Sequence, residues 1–252
     1  MIKKPALITF ITAGDPNITA TLDFMISLSK YADVIELGIP FSDPMADGRT
    51  IQLANERALK NGTKVGDVFK TVKKFKDQSE TSVVLMTYYN PVYRRGVENF
   101  VKEAKEAGVD GLIVVDLPVE EAGEYLNICR RYKMETIFLA APNTSKDRLR
   151  LIDEASSAFV YLVSLYGTTG ARERVSESAF DLIRRAKEVC NKPLAVGFGV
   201  SKPEHVSELI NAGADGVVVG SALVKIIEKY GEGATEKLEE KVKELKMGVD
   251  GL

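Results

Sequence analysis

The sequence predicts an α/β fold, a single (β/α)8 TIM barrel of eight parallel strands, and three observations carry that expectation. Short apolar, β-branched runs alternate with amphipathic stretches of helical period along the chain, as expected of βα units around a parallel sheet. The 252 residues match the roughly 250 of one such barrel, and no linker-like stretch divides them, so residues 1–252 are expected to form one domain. Finally, Ala107-Gly108-Val109-Asp110-Gly111-Leu112-Ile113-Val114-Val115 recurs as Ala212-Gly213-Ala214-Asp215-Gly216-Val217-Val218-Val219-Gly220. Each copy ends a helix with a glycine suited to a left-handed cap, turns at Asp-Gly and enters a buried strand. The two copies open the fourth and eighth strands, which fits half-barrel symmetry.

Taken in order, the first strand is the apolar run Ala6–Thr12, followed by a helix near Thr19–Lys30. It begins almost at once, so the barrel floor is expected to be closed differently from barrels with a preceding helix, or left more open. Val34–Leu37 is the second strand, followed after a long loop by helical stretches near Ile51–Lys60 and Val68–Lys76. Strands at Val83–Thr87 and Leu112–Val115 alternate with helices near Val97–Ala107 and Ala122–Tyr132. Thr136–Leu139 and Phe159–Leu165 follow, with helices near Lys146–Ala155 and Ala179–Val189. Leu194–Phe198 and Val217–Gly220 complete the barrel, with helices near Pro203–Ala212 and Leu223–Lys229. A Lys/Glu-rich helix over about Ala234–Lys246 reads as a solvated face.

Composition narrows the chemistry. Lys and Arg total 34 against 36 Asp and Glu, a net charge of −2, which argues against a nucleic-acid or membrane-surface protein. No apolar run approaches the roughly 18 residues of a membrane span, and no small-residue cleavage site precedes the first strand, so a cytoplasmic protein is expected. Cys129 and Cys190 have no metal-knuckle spacing and read as free, partly buried thiols. The only histidine, His205, lies in a helical stretch and reads as a surface residue. A histidine zinc site and a Ser-His-Asp triad are thereby excluded, no metal is expected, and carboxylates become the candidate acid and base groups.

In a barrel of this kind the site lies where the strands end. The first strand leads into Thr12-Ala13-Gly14-Asp15-Pro16, and the fourth runs into Asp116-Leu117-Pro118. Glu36 sits among Val34, Ile35, Leu37 and Ile39, where a carboxylate is costly unless it is used or held in a buried ion pair. The loop Gly38–Thr50 carries two prolines and two acids, Asp43 and Asp47, before Thr50 as a helix cap. Asp47 is placed to fold back over the strand end, although both acids also suit simple Asx turns. Glycine-bearing ends follow strands six to eight: Gly167-Thr168-Thr169-Gly170, Gly197-Phe198-Gly199 and Gly220-Ser221. Glycine admits an anion to backbone N–H groups and Ser221 opens a helix, so these ends together predict a phosphate-bearing ligand held around Gly170, Gly199, Gly220 and Ser221. Phe10, Tyr88, Ile113, Tyr161 and Phe198 suggest that the rest of that ligand is flat and apolar, unless they are ordinary barrel core.

No lysine for a Schiff base lies in the predicted strands, histidines for a metal aldolase are absent, and the fifth strand ends Phe138-Leu139-Ala140-Ala141-Pro142 without the aspartate of histidine-biosynthesis isomerases. Carboxylate acid/base chemistry on a phosphorylated substrate remains.

The blocks Phe10-Ile11-Thr12-Ala13-Gly14-Asp15-Pro16, Glu36-Leu37-Gly38-Ile39-Pro40-Phe41-Ser42-Asp43-Pro44-Met45-Ala46-Asp47-Gly48 and Val196-Gly197-Phe198-Gly199-Val200-Ser201 closely resemble the tryptophan synthase alpha chain family. Met86-Thr87-Tyr88-Tyr89-Asn90-Pro91 and Gly220-Ser221-Ala222 continue the match, which runs in order over nearly the whole chain. The resemblance implies retro-aldol cleavage of indole-3-glycerol phosphate to indole and glyceraldehyde 3-phosphate. It also implies transfer of indole to a beta chain carrying pyridoxal phosphate in an alpha2-beta2 heterotetramer, with no cofactor on this chain. Carried over by position, Glu36 and Asp47 match the catalytic glutamate and aspartate. Phe10, Ile113, Tyr161 and Phe198 match positions around the indole, Tyr88 one near the catalytic pair, and Gly170, Gly199, Gly220 and Ser221 ones around the phosphate. The Asp43-Pro44 corner would face the partner. The chain departs from the usual pattern at Arg49, where proline is common, and at Leu165, where arginine is common, changes that bear on loop closure and on the partner. Two other readings stay open at this level: a different metal-free lyase or isomerase acting on an aromatic or sugar phosphate, and a weakly catalytic barrel that binds its ligand to regulate a partner.

Overall fold

Eight parallel strands pair in sequence order, and the eighth closes back on the first. The computed structural model describes residues 2, 5–163 and 176–251. The strands are β1 (Ala6–Thr12), β2 (Val34–Gly38), β3 (Ser82–Thr87), β4 (Gly111–Val114), β5 (Glu135–Ala140), β6 (Phe159–Val163), β7 (Leu194–Gly197) and β8 (Gly216–Val219). The helices are α1 (Ile18–Leu28), α2 (Arg49–Lys60), α3 (Val65–Lys76), α4 (Tyr89–Arg95), α5 (Val97–Glu106), α6 (Gly123–Tyr132), α7 (Lys146–Ala155), α8 (Glu177–Lys187), α9 (Pro203–Asn211), α10 (Ser221–Tyr230) and α11 (Thr235–Asp250). The predicted end of the sixth strand, with Leu165, and the Gly167–Gly170 segment lie outside the described residues.

Alternation along each strand divides the core into two shells. Ile8, Phe10, Val34, Val84, Ile113, Ile137, Phe159, Tyr161, Ala195 and Val218 fill the barrel interior, with Ile2 packed against them. The opposite faces, such as Leu7, Ile35, Leu85 and Val196, pack with the inner stripes of the surrounding helices.

The repeated Asp-Gly turn ties the strand starts together. The Oδ2 atom of Asp110 accepts the Val83 N–H at 2.8 Å and that of Asp215 accepts the Leu194 N–H at 2.9 Å. Asp33, one residue before β2, does the same for Leu7 at 2.8 Å, which adds a third copy of the device. A lysine joins each carboxylate: Lys76 to Asp110, Lys187 to Asp215 and Lys246 to Asp33. Gly108 and Gly213 adopt φ of 90° and 110°, where L side chains are strained.

Three local expectations are corrected. His205 is buried, 3% exposed, together with Val206 and Leu209 of α9, and its Nδ1 accepts the Ser201 N–H at 3.4 Å. The C-terminal helix is not simply a solvated face, since Leu238, Val242, Leu245 and Val249 form a buried stripe and Gly248 rests on the first turn of α9. Thr50 does not cap α2: the helix starts at Arg49, with Gly48 as its cap, because the Gly48 carbonyl already accepts the Ile51 and Gln52 N–H groups.

Candidate active site

On β2 the inward positions are Val34, Glu36 and Gly38, and Glu36 lies in register with Phe10 of β1 and Val84 of β3. Its side chain therefore stands among apolar neighbours inside the barrel, 1% exposed, and neither carboxyl oxygen has a hydrogen-bond partner among the described residues. Stripping water from a carboxylate disfavours the charged form. Burial, reinforced by the negative charge of Asp47, pushes the Glu36 pKa up from 4.5 to about 8. At neutral pH Glu36 is mainly an acid with a proton to give.

Asp47 arrives from the β2–α2 loop. Turns at Asp43 and Pro44 fold that loop, with the Met45 N–H bonded to the Asp43 carbonyl and the Asp47 N–H to the Pro44 carbonyl. The Tyr88 hydroxyl donates to Asp47 Oδ2 at 3.0 Å. Burial raises the Asp47 pKa from 3.8 to about 6, against the Tyr88 hydrogen bond, which lowers it. At pH 7 Asp47 is therefore mainly ionised beside a Glu36 that is mainly protonated, the separation of roles that acid–base chemistry with two carboxyl groups needs.

A cavity of about 550 Å³ opens over the carboxyl ends of the strands. Phe10, Asp47, Ile51, Met86 and Tyr161 line its wall, as do Gly197, Gly199, Gly220 and Ser221. Helix α10 starts at Ser221 on this wall, so its positive end faces the cavity. Gly199 has φ of 67°. The glycines also make room for the aromatic walls, which the sequence did not reveal. A Cβ on Gly38 would stand 2.9 Å from Phe10 Cζ, and one on Gly197 2.8 Å from Tyr161 Oη. Burial and the charges of Glu36 and Asp47 hold the Tyr161 phenol protonated, well above its ordinary range.

Of the residues singled out in the sequence, Phe10, Asp47, Tyr161, Gly199, Gly220 and Ser221 line the cavity. Glu36 and Ile113 lie buried behind its wall, and Tyr88 spends its hydroxyl on Asp47. Phe198 packs in the outer shell, because alternation along β7 gives the inward positions to Ala195 and Gly197. Gly170 lies outside the described residues. Asp43 is exposed, and the adjoining Met45 is 86% exposed on the rim. Sequence reasoning missed Thr144 and Arg148, which line the cavity from the β5 side. Asp15, noted only as part of the first loop, is buried and paired with Arg57 through two hydrogen bonds of 2.8 Å.

Fold and site together define a (β/α)8-barrel enzyme with a buried pair of carboxyl groups at the mouth. The family model described as tryptophan synthase alpha chain matches residues 2–250. The chain is 59% identical to the tryptophan synthase alpha chain of Pyrococcus furiosus over 245 residues, 97% of this chain and 99% of that one. It is 56% identical to that of Methanococcus vannielii over 251 residues, 99% and 97% of the two chains. A solved structure of the tryptophan synthase a2b2 complex from Pyrococcus furiosus superposes with a TM-score of 0.94 at 59% identity, covering 97% of this chain and 99% of that one. This chain belongs to the tryptophan synthase alpha chain family.

Proposed function

We propose that this chain is the alpha subunit of a tryptophan synthase, a lyase of tryptophan biosynthesis that cleaves indole-3-glycerol phosphate to indole and glyceraldehyde 3-phosphate. The observation that carries the reading is the pair Glu36 and Asp47, with pKa values of about 8 and about 6 at one barrel mouth. The carbon–carbon bond breaks when the departing ring carbon gains a proton and the side-chain hydroxyl loses one. Glu36, protonated at rest, supplies the first proton, and its carboxylate then takes the second. Glu36 must turn from behind the wall toward the bound substrate for this, a tightening that catalytic groups often complete only with ligand present. Asp47, ionised, accepts the indole N–H and stabilises the positive charge that develops on the ring nitrogen.

The remaining positions follow the same reading. Phe10 and Tyr161 make up the surroundings of the indole, with Ile113 behind them, and Gly170, Gly199, Gly220 and Ser221 are assigned to the phosphate. The partner is a beta chain bearing pyridoxal phosphate, docked over the Asp43-Pro44 corner in an alpha2-beta2 assembly. The whole chain, residues 1–252, acts as one catalytic domain in the cytoplasm. Membership of the family, the a2b2 assembly of the Pyrococcus furiosus relative and the exposed rim at Asp43 and Met45 support that picture.

Indole release from indole-3-glycerol phosphate tests the activity. Glu36→Gln keeps the shape and removes the titrating proton, and is expected to lower release by at least the ~10²–10⁴-fold typical of a general acid/base, with the fold retained. A variant within threefold of wild type would sink the assignment of Glu36.

A further inference from the structure

Tyr88 stands at the end of β3 as the residue before α4, and three features of the catalytic loop converge on it. Its ring stacks on Phe41, with centroids 5.1 Å apart and planes at 28°. Its hydroxyl oxygen accepts the Ala46 N–H at 3.0 Å while the hydroxyl proton goes to Asp47 Oδ2 at 3.0 Å. Both ends of the Phe41–Gly48 loop are thus fastened to one side chain just beyond β3. We infer that Tyr88 is a positioning residue of this enzyme: it latches the loop against the barrel mouth and aims the Asp47 carboxylate into the cavity. The inference rests on the role given above to Asp47.

The neighbours of Asp47 make the hydrogen bond consequential. Glu36 from β2 shares its region, and burial acts on both; Tyr161 from β6 also feels the Asp47 charge. Against these, Tyr88 is a donor that favours the ionised carboxylate, and an ionised Asp47 is what an indole N–H requires. The phenol is itself buried beside Asp47 and held well above its ordinary pKa, so it remains a donor over the whole working range. Helix α2 steadies the same loop from the other side, with Asn55 Oδ1 accepting the Phe41 N–H and the Gln52 side-chain amide donating to the Asp47 carbonyl, both at 2.9 Å. Those bonds fix the backbone; Tyr88 alone among these residues holds the carboxylate.

The test compares wild type, Tyr88→Phe, Phe41→Leu and a chain with 3-fluorotyrosine placed at position 88. Two readouts are followed: the pH profile of indole release, and the titration of the Asp47 carboxyl carbon by ¹³C NMR, assigned against Asp47→Asn. Tyr88→Phe keeps the stacked ring and loses both the donor to Asp47 and the acceptor of the Ala46 N–H. It is expected to lower kcat by about ten- to a hundredfold near pH 6.5, the scale of losing one hydrogen bond to a charged group. It should also move both the acid limb and the carbon titration to higher pH. The fluorinated phenol is a stronger donor that preserves the fold, and should move both to lower pH. Phe41→Leu should lower kcat with the acid limb unmoved. An Asp47 titration that coincides in wild type and both position-88 variants would overturn the inference, as would a raised KM with unchanged kcat in Tyr88→Phe, which would make the phenol a substrate wall. Wild type that releases no indole would defeat the proposed function, while the carbon titration would still decide for or against the latch.

Discussion

Glu36 and Asp47 are nearly the same chemical group, and their surroundings set their pKa values apart, at about 8 and about 6. Glu36 was legible in the sequence because an acid flanked by Val34, Ile35, Leu37 and Ile39 is costly unless it is used or paired. Asp47 was legible only as an acid on an unusual loop, since the donor that holds it, Tyr88, is 41 residues away in sequence and joins it only once β2 and β3 pair. The burial that prepares Glu36 also has a stability consequence. Its folded pKa lies above the unfolded value, so below about pH 4.5 both states are protonated and its penalty is absent. Between about 4.5 and about 8 the unfolded chain sheds the proton and the folded one keeps it, so stability falls as pH rises and levels off above about 8. At about 1.36 kcal/mol per pH unit, that gap caps the loss at roughly 5 kcal/mol. Urea unfolding of wild type and Glu36→Gln from pH 5 to pH 9 checks this. The difference in stability should move in favour of the variant as pH rises, and a difference independent of pH would contradict it.

At the scale of elements, the strands and the major helices followed from the alternation of apolar runs with helical periods. Helix α4 did not, because its start is capped from a distance: Asp116, beyond the end of β4, accepts the Tyr89 N–H at 2.6 Å. A proline at position 91 inside a seven-residue helix also hides the period. The buried position of His205 was hidden for a similar reason, since α11 crosses α9 and Ser207 Oγ donates to the Gly248 carbonyl at 3.0 Å. The Asp-Gly turns were read as turns, but their carboxylates also stitch neighbouring strands at the barrel floor. Asp110→Ala removes the acceptor of the Val83 N–H and the partner of Lys76. Leaving a buried donor unpaired is expected to cost about 1–3 kcal/mol, with a fall in Tm of several degrees for a chain of this length. Activity at 25 °C should survive, because the change lies at the opposite end of the strands from the mouth. Loss of activity at unchanged Tm would contradict the division between a stabilising floor and a catalytic mouth.

On the scale of the whole molecule, closing the barrel brings residues of β1 and of β3 to β8, with the loop that follows β2, around one cavity. Residues from position 10 to position 221 thereby meet, a convergence that a local reading of the sequence reaches only by assuming the barrel. The aromatic walls and the glycines are parts of one packing solution, with Phe10 against Gly38 and Gly220 and Tyr161 against Gly197. Asp47 faces this shared space from the loop and Glu36 lies buried behind its wall, so the protonation states of the two should govern the rate together. The pH dependence of kcat/KM for cleavage of indole-3-glycerol phosphate tests that most directly, because it reports the essential acid and base of the free enzyme. A bell is expected, with an acid limb near the Asp47 value of about 6 and an alkaline limb near the Glu36 value of about 8. A rate that stays level from pH 5 to pH 9 would contradict the account.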